Sequence, residues 1–187
     1  MEDISIIKNF LSKGVSDFLF EYLKENIKWH DTLKNIDSDA DVKIKRKMAY
    51  CSDIPVDYRY ATLYFPGQAW VEPLEVLNKL LSYENNFVFN SCLLNMYADG
   101  KDEINWHSDK EESLGERPII ACVNLGAARK FWFRSKEPQS EKFFHIVEHG
   151  DLLIMGPDCQ SKYLHAILKE KEVVDPRISL TFRYNNK

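Results

Sequence analysis

The chain contains no Cys-x-x-Cys pair: Cys51, Cys92, Cys122 and Cys159 stand far apart. That spacing argues against a zinc ribbon and against a disulfide framework, and it fits a reducing compartment. No run approaches the ~20 apolar residues that span a bilayer. The opening MEDISIIKNFLSKG carries acids at once and too short an apolar run for a secretory signal. An intracellular protein is therefore expected, cytoplasmic, or nuclear in a eukaryote. Positive charge is not in excess either. The net charge is −4, so a nucleic-acid partner would have to be met by a local patch. Internal repeats and low-complexity tracts are also missing. What is present is 44% hydrophobic and 13% aromatic residues in a chain of 187, which makes disorder unexpected and suits one domain with a sizeable core.

Two stretches have helical spacing. Val15, Phe18, Leu19, Tyr22, Leu23 and Ile27 predict an amphipathic helix over 15–27, and Leu74, Leu77, Leu80 and Leu81 predict another opened by Pro73. Between them, DSDADVKIKRKMAYCSD reads as an exposed loop or hairpin. After Asn85-Asn86 the pattern becomes short apolar runs separated by turn residues: 87–97, 118–126, 130–133, 142–147, 151–156, 163–168 and 177–184. Many short strands after two helices predict a mainly β, α+β fold, a β-sandwich or jelly roll buttressed by helices. The organisation expected is a single domain, with N-terminal helices over 1–86 and a catalytic core over 87–187.

The chemistry concentrates in that core. In NWHSDKE, His107 and Asp109 are two apart, so on a strand they share a face. Such a pair alone is usually only a polar strand end. His165, on the apolar run KYLHAIL, adds a second imidazole. Two histidines and one carboxylate match the facial triad of non-haem Fe(II) oxygenases, which leaves coordination positions open for oxygen and a bidentate co-substrate. In RISLTFR, Arg177, Ser179, Thr181 and Arg183 alternate with Ile178, Leu180 and Phe182. Two arginines inside a sandwich need anionic partners, and a dicarboxylate such as 2-oxoglutarate meets that need. Asn95 and Tyr97 in LLNMY share a face and can hydrogen-bond the same ligand. His145 and His30 read as structural, and His149, in EHGD, as a turn residue.

His107-x-Asp109, His165 and Arg177-x5-Arg183, preceded by Asn95-x-Tyr97, resemble the AlkB family of 2-oxoglutarate/Fe(II) dioxygenases. The blocks HSDKE, LGERPIIACVNLGAARKFWFR, HGDLLIMG and PRISLTFR occur in the family's order, and the likeness is nearest to members that repair alkylated nucleic acid. The resemblance implies a double-stranded β-helix (jelly-roll) core with a nucleotide-recognition lid. It implies Fe(II) on His107, Asp109 and His165, and 2-oxoglutarate on Asn95, Tyr97, Arg177, Thr181 and Arg183, with Arg177 at the distal carboxylate. Ser179 stands where relatives often carry asparagine. The implied activity is oxidative demethylation of 1-methyladenine- or 3-methylcytosine-type bases with O2 and 2-oxoglutarate, releasing formaldehyde, succinate and CO2.

For substrate contacts the resemblance points to Tyr58 and Tyr60, stacking a flipped base against His107, and to Glu111, reading its exocyclic amino group; Lys110 stands where relatives often have an acid. Lys43, Lys45, Arg46 and Lys47 are expected to grip phosphates together. No aromatic wedge occurs between Asn35 and Ala49, which leans toward single-stranded DNA or RNA, and a monomer is expected. Two other readings stand beside this one: the same iron chemistry on a protein or small molecule, and a non-catalytic nucleic-acid binding module.

Overall fold

The first half of the chain holds more sheet than its two helical stripes suggest. The computed structural model describes every residue except 1, 2, 61, 86, 140 and 187, and of Tyr60 and Asn85 the backbone alone. Strand β1 (Ile4–Ile7) precedes α1 (Lys13–Asn26), and β2 (His30–Asn35), β3 (Asp41–Ser52), β4 (Tyr58–Tyr60), β5 (Leu63–Phe65) and β6 (Gly67–Gln68) lead to α2 (Glu72–Asn85). Helix α1 stops where Ile27 turns extended, at φ −88 and ψ 136. Helix α2 begins as its proline requires, with Glu72 and Glu75 in a first turn that favours acids. The stretch expected as an exposed loop or hairpin is mostly β3, a 12-residue strand. Its second half, Met48–Ser52, is buried and pairs with the strand that carries Asn95.

The second half follows its apolar runs: β7 (Ser91–Tyr97), β8 (Ile104–His107), β9 (Ile120–Gly126), β10 (Arg129–Ser135), β11 (Lys142–Val147), β12 (Leu152–Met155), α3 (Cys159–Lys162), β13 (Tyr163–Ile167) and β14 (Arg177–Arg183). Gly126 ends β9 at φ +85, where a side chain would lie 2.4 Å from the Pro176 carbonyl, so only glycine fits the turn into β10.

The strands form two sheets. The major sheet has ten strands in the order β1-β12-β9-β14-β7-β3-β2-β5-β4, with β6 alongside β3; the minor sheet runs β11-β10-β13-β8. Pairing is antiparallel except between β3 and β6, so this is a double-stranded β-helix flanked by short helices. All seven residues of β14 are buried. Ile178, Leu180 and Phe182 pack with Leu19, Leu23, Leu74, Leu77 and Leu81 of the helices. The other face of β14 carries Arg177, Ser179, Thr181 and Arg183, all buried. Tyr97, Cys122, Phe131, Phe133 and Ile167 form a second core cluster. A polar row enclosed in this way must find partners or a ligand.

Candidate active site

His107 ends β8, and Asp109 lies just beyond the strand. The expected strand register for this pair does not hold. The chain leaves β8 after His107, and Gln160 Oε1 fixes the turn by accepting the Asp109 backbone N–H at 2.8 Å. His165, on β13, is the direct cross-strand neighbour of His107, with ring centroids 4.2 Å apart. One ligand atom from each of His107, Asp109 and His165 lies within 4.8 Å of the others.

Hydrogen bonding and burial put these groups in metal-binding form. The Nδ1–H of His107 donates to the Asn105 carbonyl at 2.8 Å. Nε2 is then a free lone pair, 3.8 Å from Asp109 Oδ1. Burial lowers the pKa of His107. Burial, and next the neighbouring His107, take His165 down to about 3. Both imidazoles are therefore neutral at physiological pH, the form that binds metals. Burial alone would raise the Asp109 carboxyl, but the Arg183 guanidinium, by its charge and its hydrogen bond, holds it below its usual range, so it is ionised.

Arg183 links this triad to the groove beside it. It donates from Nη2 to Asp109 Oδ2 at 2.7 Å and from Nη1 to the Tyr58 hydroxyl at 2.8 Å. Tyr58 in turn donates to Glu111 Oε1 at 2.5 Å. Burial opposes the charge of Arg183, and Asp109, then Tyr58 and Glu111, more than offset this, so its pKa rises. Arg183, expected at the co-substrate, is mostly committed to Asp109 and Tyr58; its Nε has no partner.

Arg177 is placed differently. It is 1% exposed, stacks 5.0 Å from the Tyr97 ring and donates from Nη2 to Asn124 Oδ1. Its Nε and Nη1 have no partner, and burial lowers its pKa. Of the eight buried side-chain polar atoms without partners among the described residues, six belong to Asp109, Glu111, His165, Arg177 and Arg183. Unsatisfied groups at this density in a buried cluster mark the seat of a ligand. Beside the triad, Asn95, Tyr97, Ser179, Thr181 and Arg183 line a narrow cavity of about 40 Å³. Metal ligands, a pocket and buried unsatisfied N–H donors thus fit an iron ion with an anionic co-substrate.

Three expectations change. Arg46 does not face the same way as the lysines. Exposure alternates along β3, so Lys43, Lys45 and Lys47 face outward, while Arg46 turns inward, donates to Asn95 Oδ1 at 2.7 Å and lines the pocket. Lys45 pairs with Glu103 at 2.6 Å. Tyr58 is not stacked toward His107. It is 4% exposed and lies on Tyr50, with ring centroids 4.5 Å apart, although it borders a groove with Glu111 and Lys110. The Tyr60 side chain lies outside the described residues. Asn124 and Gln160 hold Arg177 and Asp109, and sequence reasoning singles out neither. Asn124 lies inside the block LGERPIIACVNLGAARKFWFR and shares a face with Cys122 on a buried strand, which is the signal it carries.

The arrangement of His107, Asp109 and His165 matches the facial triad of the non-haem iron class. The 2OG-Fe(II) oxygenase superfamily matches residues 3–183. Alpha-ketoglutarate-dependent dioxygenase alkB homolog 3 of Homo sapiens is 32% identical over 188 residues, covering 96% of this chain and 65% of that protein. DNA oxidative demethylase ALKBH2 of Mus musculus is 34% identical over 147 residues, covering 75% of this chain and 62% of that protein. The chain thus spans just under two thirds of the length of these relatives. Among solved structures, OsALKBH1 aligns with a TM-score of 0.65 at 17% identity over 98% of both chains. A Pseudomonas putida prolyl-4-hydroxylase aligns at 0.62 and 14% identity, over 100% of this chain and 94% of that one. Both likenesses concern the fold alone. The chain belongs to the 2OG-Fe(II) oxygenase superfamily, in its AlkB-like branch.

Proposed function

We propose that this chain is an Fe(II)- and 2-oxoglutarate-dependent oxygenase that removes N-alkyl groups from nucleic-acid bases of the 1-methyladenine and 3-methylcytosine type. The observation that carries the reading is two neutral imidazoles and an ionised carboxylate converging within 4.8 Å beside a pocket walled by β14. His107, Asp109 and His165 would hold iron, which with 2-oxoglutarate and O2 supplies the oxidation of an unactivated C–H bond. Arg177 would receive the distal carboxylate on its two unpartnered N–H groups. Asn95, Tyr97 and Thr181 would complete the co-substrate wall. Arg183 would keep Asp109 oriented and ionised. Glu111 retains one oxygen, Oε2, without a partner, and would accept a hydrogen bond from an exocyclic amino group of the base. Tyr58 would position Glu111 and wall the groove, with Tyr60 on the same short strand. Closing the pocket around the base would exclude water from the oxidation.

The test is mass spectrometry of oligonucleotides carrying 1-methyladenine or 3-methylcytosine, as single- and double-stranded DNA and RNA, with iron, ascorbate and 2-oxoglutarate. Loss of the methyl group with formation of succinate is expected. Succinate formed with methylated peptides and not with any oligonucleotide would refute the substrate reading.

The split of the basic strand gives a second expectation. Lys43→Ala and Lys47→Ala should each flatten the dependence of log affinity on log salt by about 0.7 on single strands, with turnover at saturation unchanged. Arg46→Ala should leave that slope in place and raise the 2-oxoglutarate concentration needed for turnover. Salt titrations and co-substrate titrations of the same variants separate the two roles. An Arg46 variant that changes only the salt slope would return this residue to the phosphate grip.

A further inference from the structure

The minor sheet presents to the triad the face that holds His165 and Phe133, and its opposite face is exposed. There, cross-strand neighbours pair Trp132 with Phe144, Arg134 with Lys142 and Lys130 with Ile146. Phe144 is 40% exposed and Ile146 50%. Trp132 and Phe144 lie with ring centroids 4.7 Å apart, and Lys130 Nζ is 5.5 Å from the Phe144 ring. Trp106, beside His107, lies 4.9 Å from the Arg134 guanidinium and 5.8 Å from Lys142 Nζ. Arg134 and Lys142 make no ion pair among the described residues. Like charges directly opposite each other on adjacent strands are destabilising, so this arrangement favours an anion.

The positive charge continues toward the active site. Lys136, two residues beyond Arg134, donates to Ser108 Oγ at 3.2 Å and to the Gln160 carbonyl at 2.5 Å. Ser108 and Lys110 border the groove that contains Glu111. Cations and partly exposed aromatic rings therefore lie between the base groove and the outer face of the minor sheet, with Lys136 bonded to Ser108 on one side and two residues from Arg134 on the other. A path of alternating cations and rings has the chemistry of single-stranded nucleic acid, whose phosphates need charge and whose bases need stacking platforms.

We propose that the outer face of the minor sheet is a docking track for the single-stranded nucleic acid that flanks the reacting base. Phosphates meet Lys136, Arg134 and Lys142, while Lys130 is held by Glu170 at 3.7 Å, and bases stack on Trp132 and Phe144. The proposal rests on the nucleic-acid reading of the active site and adds to it a second contact region outside the pocket.

The test uses the full chain, a methylated trinucleotide and a methylated single strand of about 15 nucleotides, longer than most single-domain site sizes. For Arg134→Ala/Lys142→Ala, the salt slope on the long strand should become shallower by about 1.4. Turnover of the trinucleotide should be unchanged. Phe144→Leu keeps the apolar bulk at the sheet edge but removes the ring. It should weaken binding of the long strand by roughly 5- to 150-fold with the slope unaltered. Equal losses on both substrates, or no loss on either, would overturn the track. So would a dimer of wild-type chains, detected by sedimentation, that these substitutions dissociate, since the face would then be covered by a second copy. Failure of the wild type to demethylate any oligonucleotide would overturn the substrate reading and the track together. Normal wild-type turnover with unaltered variants would remove the track alone.

Discussion

Replacing Asp109 with alanine is expected to abolish turnover and also to lower stability, whereas His107→Ala should abolish turnover with the fold largely intact. Both changes remove one of three converging ligand groups, and two do not make a facial site. They differ in what they leave behind. Asp109 is the anionic partner of Arg183 at 2.7 Å, with side-chain exposures of 1% and 4%. Its loss leaves the buried guanidinium with Glu111 Oε1, 3.8 Å away, as its remaining carboxylate. Breaking such a pair from one side costs about 3–5 kcal/mol, or roughly 6–20 °C in melting temperature for a chain of this size. His107 is neutral and its ring is partly accessible, so no charge is stranded when it is removed. His165→Ala should resemble His107→Ala in activity, with a moderate cost for its packing against Phe131 and Phe133. Thermal unfolding by circular dichroism, run beside the demethylation assay, separates the cases. Turnover retained in two of the three variants would end the metal assignment, and an unchanged melting temperature for Asp109→Ala would contradict the stabilising role of the Arg183 pair.

The second large effect concerns Arg177. Arg177→Ala should raise the 2-oxoglutarate requirement by roughly 30-fold to several thousandfold, because truncating one side of a buried charge-assisted pair costs about 2–5 kcal/mol. Arg177→Lys should recover little of this, since a single ammonium cannot offer two parallel donors to a carboxylate. Without its ligand, Arg177 is held by Asn124 and by the Tyr97 ring, so the alanine variant should lose the rise in melting temperature that 2-oxoglutarate gives the wild type. Titration of turnover against 2-oxoglutarate and melting curves with and without it provide the readout. An unchanged requirement would assign this strand another task.

Sequence patterns reveal residues whose position follows from local period or from a motif. The alternation in RISLTFR identifies the polar face of β14, and the apolar setting of His165 places it on a strand of the core. Asp109 reaches the site by another route, a turn after β8 secured by Gln160, 51 positions away. Arg46 and Tyr58 are less legible for a physical reason. The alternation in VKIKRK puts Arg46 on the face of Val42 and Ile44, opposite the lysines, but what that face meets depends on the pairing of β3 with β7 and β2. Tyr58 is held by Tyr50, Arg183 and Glu111, three partners from three separate segments. Asn124 and Arg177, 53 residues apart, meet only when β9 and β14 pair. Contacts of that kind are properties of the assembled sheet.

The four cysteines have a practical consequence for spectroscopy. All are buried, Cys51, Cys92 and Cys159 at 0% and Cys122 at 2% exposure. Burial pushes the thiols of Cys51 and Cys159 up to about 12 and that of Cys122 up to about 11, and holds Cys92 well above its ordinary value. Since the thiolate is the reactive form, maleimides and methanethiosulfonates should pass over all four in the folded chain. A single cysteine introduced on an exposed strand edge would then take a fluorophore or spin label in the otherwise native sequence. Distances to a labelled oligonucleotide could be measured with the core unaltered and all four native thiols in place.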